Sequence, residues 1–260
     1  VRYERLKRFM SYDLPCVTIC RSIRCPAELK QLAEERDIWV FSSPLPTSKF
    51  VLNITNYLNN RLAPRITRHG VLVDVYGVGI LINGDSGVGK SEAAIELVKR
   101  GHRLIADDAV EIRHIGTRLI GSAPELIRHY IELRGIGVVD IQQLFGMSAV
   151  REDQDINLVV NLEQWNDQVF YDRLGTNEEF TTILDMKIPA ITIPIKPGRN
   201  LAIIVEVAAM NNRHKRMGYN AAQEFAKQLD AHFEQMMLSS QLDAADDYDE
   251  YESLNGDEED

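Results

Sequence analysis

The sequence predicts an α/β protein built around a phosphate-binding loop, with a smaller α/β unit ahead of it. Two observations carry this. Gly84, Asp85, Ser86, Gly87, Val88, Gly89, Lys90 and Ser91 fit the pattern G-x-x-x-x-G-K-[ST] at every defined position. An apolar run, residues 78–82, precedes that loop, and a helical pattern, residues 92–100, follows it. In a strand–loop–helix setting the backbone N–H groups and the helix N-terminus converge on one point, which makes an anion site. Lys90 is placed to reach outer phosphates, and the Ser91 hydroxyl to ligate Mg²⁺.

The elements follow in order. Residues 2–8 form a charged helical stretch, 15–20 a strand and 26–36 a helix opened by Pro26 at its first turn. A short strand at 38–41 and a helix at 50–62 complete the first unit. Ala63-Pro64-Arg65 breaks the pattern, so residues 1–63 read as one domain and 64–240 as the next. In the second domain the strands are 71–76, 79–83, 103–106 and 109–114. A helix is predicted over 124–134, with Leu126, Ile127, Tyr130 and Ile131 on one face and Glu132 just off it. Strands return at 157–162, 191–195 and 201–207. Helices at 208–217 and 221–237 close the domain, the last opened by Asn220 with Gln223 as a capping box. Its stripe, Ala222, Phe225, Ala226, Leu229 and Phe233, suits core or a subunit contact.

Bulk properties narrow the function. The chain has 260 residues, net charge −10 and 45% hydrophobic residues, the balance of a globular domain. Residues 241–260 hold ten acidic residues and no basic one, so the remaining 29 basic and 29 acidic residues cancel. A neutral body disfavours a nucleic-acid partner. The tail lacks the apolar content to fold and is expected to be disordered. No window is apolar enough for a membrane span. Cys16, Cys20 and Cys25 fit neither a disulfide framework nor a common zinc site, which points to reduced thiols in the cytoplasm. The chain begins with Val1 rather than Met, which marks a processed start or a fragment.

Phosphoryl transfer needs more than a loop: metal ligands, a group to prepare the nucleophile, and positive charge for the transition state. An apolar strand runs into Asp107 and Asp108. Neighbours on a strand face opposite ways, so one acid can serve the metal and the other act as base. His69 stands before the strand entering the phosphate-loop sheet, as support for a carboxylate, as a proton shuttle, or as a surface or structural residue. Glu132 is a candidate metal ligand or a surface glutamate. The segments 171–175 and 194–200 are basic turns that suit phosphoryl charge or simply connect elements.

Together GDSGVGKSE, RLIADD, IELRGIGVVD, YDRLG and PIKPGRNLAIIVEVAAMNNRHKRMG, in this order, resemble the bacterial HPr kinase/phosphorylase family over residues 69–225. The resemblance implies a catalytic domain of the HPr kinase and PEP carboxykinase-like type, preceded by part of that family's first domain. It implies phosphorylation of a serine on the phosphocarrier HPr from ATP or pyrophosphate, in carbon catabolite regulation. It also implies the reverse phosphorolysis, which releases pyrophosphate. Family members are typically hexameric and respond to fructose 1,6-bisphosphate.

Carried onto this chain, the resemblance puts Gly84 to Ser91 on the nucleotide, Ser91 and Glu132 on Mg²⁺, and Asp108 as the group that takes and returns the serine proton. His69, Lys90 and Arg173 match active-site positions. Ile131, Glu132, Leu133, Arg134, Gly135, Ile136, Gly137, Val138, Val139 and Asp140 match a segment needed in both directions. Pro194, Ile195, Lys196, Pro197, Gly198 and Arg199 match the segment tied to phosphorolysis, with Lys196 where some relatives have arginine. A small-molecule kinase or carboxykinase-like enzyme on a related scaffold, and a non-catalytic nucleotide-gated module, are the alternatives.

Overall fold

A computed structural model describes residues 1–169, 171, 172, 175, 177–196, 198–233 and 235. The chain divides into two units, Val1–Pro64 and Arg65–Asp260.

The first unit contains α1 (Arg2–Phe9), β1 (Cys16–Ile19), α2 (Ala27–Glu35), β2 (Trp39–Ser42) and α3 (Thr47–Leu62). β1 and β2 pair in parallel with α2 as their crossover, a single βαβ turn. Leu29, Leu32 and Ala33 share one face of α2 and are buried with Met10 of the preceding segment. The cysteines carry free thiols.

The second unit is a mixed sheet. Its elements are β3 (Arg65–His69), β4 (Val71–Val75), β5 (Val78–Gly84), α4 (Lys90–Lys99), β6 (Arg103–Ala106), β7 (Ala109–Ile115) and β8 (Arg118–Ser122). They continue with β9 (Tyr130–Leu133), β10 (Gly137–Asp140), α5 (Ile141–Phe145), β11 (Asp153–Gln164), β12 (Glu179–Ile183), β13 (Met186–Ile195) and α6 (Leu201–Arg216). Residues 221–233 are also helical. The sheet runs β3-β7-β8-β11-β5-β4-β6, with β13 parallel to the later half of β11 and β12 at its side.

Both faces of this sheet are covered, which explains why its strands read as continuous apolar runs. Val71, Val73, Ile80, Ile82, Leu158 and Val160 point to one side and pack with Ala94, Leu97 and Val98 of α4 and Ala202, Val205 and Ala209 of α6. The alternate residues Leu72, Leu81 and Val159 point to the other side. There the partners come from strands and their turns, Val110, Ile112, Leu119, Ile183, Ile188 and Ala190 among them, so the sheet curls to cover its own second face.

Two predicted elements are overturned. The helix expected over 124–134 is a single turn at Glu125–Ile127 followed by the antiparallel hairpin β9–β10. Arg128 has extended dihedrals and His129 sits at φ 72°, so the helix cannot propagate past Ile127. Beyond them Ile131 is buried between exposed Tyr130 and Glu132, the period of a strand. The strand expected over 201–207 is the start of α6. Asn200 caps it, its side chain accepting from Ile203 N–H at 3.2 Å. Ala202, Val205, Glu206, Ala209 and Asn212 form its buried face at helical spacing. The β-branched residues Ile203 and Val207, which suggest a strand, face outward. At the last helix, Asn220 Oδ1 accepts from Ala222 N–H at 3.2 Å and Gln223 N–H at 3.4 Å.

Candidate active site

The phosphate loop leaves the end of β5 in the middle of the sheet. A side chain on Gly84 would place Cβ 2.6 Å from the carbonyl oxygen of Leu162 on β11, so only glycine lets the neighbouring strands stay paired there. Lys90, at the start of α4, is buried and turns back over the loop. Its ammonium donates to the carbonyls of Gly84 at 2.7 Å and Asp85 at 2.9 Å. The cation is thereby fixed over the loop's own backbone.

A cleft of about 130 Å³ opens over this loop, lined by His69, Ser86, Gly87, Gly89, Lys90, Ser91, Glu92, Asp107, Asp108, Glu132 and Arg134. Residues from four stretches of the chain meet in it. β6 delivers the two aspartates, and they end in opposite environments. Asp107 is 5% exposed, while the Asp108 side chain is 70% exposed. The left-handed backbone at Asp108 (φ 66°) turns it away from its neighbour. Asp107 Oδ1 accepts from the Ser91 hydroxyl at 2.9 Å, and Oδ2 from Glu132 N–H at 3.2 Å. Burial pushes its carboxyl above the usual range, the two hydrogen bonds pull it back, and the Asp108 charge adds a further push upward.

His69 reaches Asp108 because of strand pairing. β3 lies against β7 with His69 opposite Ala109, and Gly70 N–H donates to the Asp108 carbonyl at 3.1 Å. The imidazole Nδ1 then stands 3.0 Å from Asp108 Oδ1. The β9–β10 hairpin forms the facing wall. Ile131 anchors it in the core, and Arg134 in its turn donates to the Ser86 hydroxyl at 3.0 Å. The Arg134 guanidinium lies where a side chain on Gly87 would go, 2.6 Å from that Cβ position.

The cleft gathers His69, Ser86, Gly87, Gly89, Lys90, Ser91, Asp107, Asp108, Glu132 and Arg134, the smaller part of the residues singled out in the sequence. Gly84, Asp85 and Val88 build the loop without lining the cleft. Leu133, Gly135, Ile136, Gly137, Val138, Val139 and Asp140 shape the hairpin, where Ile136 and Val138 are exposed and Asp140 caps α5. Pro194, Ile195, Lys196, Gly198 and Arg199 lie at and beyond the end of β13, outside the cleft lining. Arg173, Pro197 and the acidic segment 241–260 lie outside the described residues. Asp107 gains a definite place beside Ser91 that its position next to Asp108 left open. Glu92 enters the lining from the first turn of α4, a position the loop pattern alone does not mark.

The oxygen donors fit magnesium. Ser91, Asp107 and Glu132 present hard oxygen groups to one cleft, and Mg²⁺ is commonly held by one or two carboxylates with phosphates and water. Among the described residues no group of three or more histidine, cysteine, aspartate and glutamate side chains is placed to hold a metal ion by itself.

Residues 60–229 match the HPr Serine kinase C-terminal domain, and residues 1–58 match the HPr Serine kinase N terminus. The chain belongs to the HPr kinase/phosphorylase family. It is 53% identical over 227 residues to the HPr kinase/phosphorylase of Caldanaerobacter subterraneus subsp. tengcongensis, covering 87% of this chain and 74% of the relative. To that of Alkaliphilus metalliredigens it is 54% identical over 229 residues, 88% of this chain and 74% of the relative. The solved HPr(Ser) kinase/phosphatase from Coxiella burnetii superimposes with a TM-score of 0.57 at 34% identity, covering 62% of this chain and 98% of that one. Members of the family are thus enzymes of phosphoryl transfer. Among the described residues no helix is long and apolar enough to cross a membrane.

Proposed function

We propose that this chain moves a phosphoryl group from ATP or pyrophosphate to a serine hydroxyl of the phosphocarrier HPr, and returns it from phosphoserine to inorganic phosphate as pyrophosphate. The observation that carries this reading is the His69–Asp108 pair facing Lys90 and Ser91 across one cleft. An exposed carboxylate at the cleft mouth suits a hydroxyl carried in by another protein.

In the forward direction Asp108 accepts the serine proton as the serine oxygen attacks the terminal phosphorus of the donor; the bridging P–O bond breaks and ADP, or phosphate when pyrophosphate is the donor, leaves. His69, on the same carboxylate, holds its orientation. Lys90 and Arg134 balance the charge on the phosphoryl oxygens, the main task of a site whose chemistry is positioning and electrostatics. Ser91, Asp107 and Glu132 would hold Mg²⁺, which would supply neutralisation of phosphate charge when bound. In the reverse direction an oxygen of inorganic phosphate attacks the phosphoserine phosphorus. The bond to the serine oxygen breaks, Asp108 gives that oxygen its proton, and pyrophosphate leaves. One carboxyl acts as base one way and acid the other.

Free thiols in the first unit support a cytoplasmic setting. The exposed Phe225, Leu229 and Phe233 of the last helix support self-association, for which family resemblance suggests a hexamer with fructose 1,6-bisphosphate as effector. Sedimentation with and without that sugar phosphate checks both.

The deciding experiment incubates the protein with purified HPr, Mg²⁺ and γ-labelled ATP, then adds phosphate. Label is expected on an HPr serine and afterwards in pyrophosphate. Label that bypasses HPr for a free metabolite would replace this reading with a small-molecule kinase.

A further inference from the structure

Three parallel strands, β5, β11 and β13, end at one edge of the sheet, where ligands of such sheets bind. β5 runs into the phosphate loop. Gln164 ends β11 opposite Ile195 of β13, so Trp165 and Lys196 are the next residues on adjoining strands. At the usual strand spacing the end of β13 stands about 10 Å from the start of the loop.

Trp165 does more than finish a strand. Its backbone N–H donates to the Ile195 carbonyl at 3.1 Å, and its indole N–H to Asp167 Oδ1 at 2.6 Å, which fixes the ring. The Lys196 ammonium lies 3.6 Å from the ring centroid, close for a cation on an aromatic face. Tyr171 packs on the same indole with centroids 4.9 Å apart, and its hydroxyl accepts from Asn166 N–H at 3.2 Å. One tryptophan therefore holds Tyr171 and Lys196, 25 residues apart in sequence. No carboxylate pairs with Lys196 among the described residues, so its charge stays available to an anion.

We propose that Trp165 is a positioning residue that presents Lys196 to the phosphate taken up in phosphorolysis. The proposal rests on the reading of the chain as a phosphorylase. A free lysine side chain surrenders rotamer freedom when it meets a phosphate, whereas one already held on a fixed ring surrenders less. The ring holds the ammonium without neutralising it, which an acidic partner would not do.

The test is a double-mutant cycle read in the KM for phosphate. Trp165→Leu is expected to raise that KM about three- to five-fold, with a smaller effect on kcat of the forward reaction. Trp165→Phe, which keeps an aromatic face, should restore most of it. Lys196→Ala should raise the KM at least as far, and adding Trp165→Leu to it should change nothing further. Additive losses overturn the proposal. A second readout needs no turnover: in a Trp39→Phe background, inorganic phosphate with Mg²⁺ should shift the Trp165 emission saturably, and Lys196→Ala should abolish the shift. A flat titration of the parent protein overturns the role of the indole, whereas a parent protein inactive in both directions removes the phosphorylase reading itself.

Discussion

The two walls of the cleft are held in different ways. The phosphate-loop wall is tied by its own backbone: Lys90 closes on the Gly84 and Asp85 carbonyls, and α4 buries Ala93, Ala94, Leu97 and Val98 beneath it. The hairpin wall buries one residue fully, Ile131, packs Leu133 partly against the same core, and reaches the other wall through Glu132 N–H to Asp107 and Arg134 to Ser86. The loop wall is thus preformed, while the hairpin wall depends on fewer buried side chains. Damage to the first wall should weaken everything the enzyme does. Damage to the second should be selective.

The largest effect is expected from Lys90→Ala. Removing a buried cation aimed at developing phosphoryl charge should lower initial rates in both directions by about 10³-fold. A loss confined to one direction would break the comparison. Asp108→Asn comes next, at about 10²-fold in both directions, with nucleotide affinity by calorimetry retained. Wild-type phosphorylation in that variant would refute Asp108 as the proton acceptor.

Ile131→Ala sharpens the other side. Truncating this anchor should cost about 2–5 kcal/mol in denaturant unfolding. Hydrogen exchange should quicken first at residues 130–140, with nucleotide affinity held within a few-fold of wild type. Uniform loosening of the loop and the hairpin would show that the walls are one cooperative piece.

The contrast between the walls also explains what the sequence could reveal. The phosphate loop is legible because its chemistry is local: glycines for close backbone approach, one lysine and one serine at fixed offsets, between an apolar run and a helix. The strands around it are legible because both faces are buried. The hairpin is not, because Leu126, Ile127, Tyr130 and Ile131 imitate a helical face by spacing, while the turn at His129 that cancels it has no strong residue signal. α6 is misread for a related reason: Ile203 and Val207 suggest a strand, and only the Asn200 cap and the spacing of Ala202, Val205 and Ala209 reveal the helix. Long-range pairing decides the rest. Nothing local to His69 says that β3 lies along β7 and delivers it to Asp108, and nothing local to Trp165 says that Lys196 will rest on it.

The smallest expected effect comes from the buried carboxyl where the two walls meet. Burial first, and then the charge of Asp108, raise Asp107 above its ordinary value, against the hydrogen bonds from Ser91 and Glu132. The folded chain therefore binds this proton more tightly than the unfolded chain does. Its contribution to stability is fully present below the usual carboxyl value of about 4 and is lost as pH rises through the raised folded value. Other carboxyls titrate in the same range, so the informative quantity is the difference between two curves. Melting temperature of the ligand-free wild-type protein should fall with rising pH, across that window, relative to Asp107→Asn, whose neutral side chain cannot titrate. Parallel curves would mean that Asp107 is solvated or already ionised, and that the hairpin contact through Glu132 carries no electrostatic cost. Adding Mg²⁺ with nucleotide should flatten the wild-type difference, because a cation beside Ser91 favours the ionised carboxylate and turns the costly charge into a ligand.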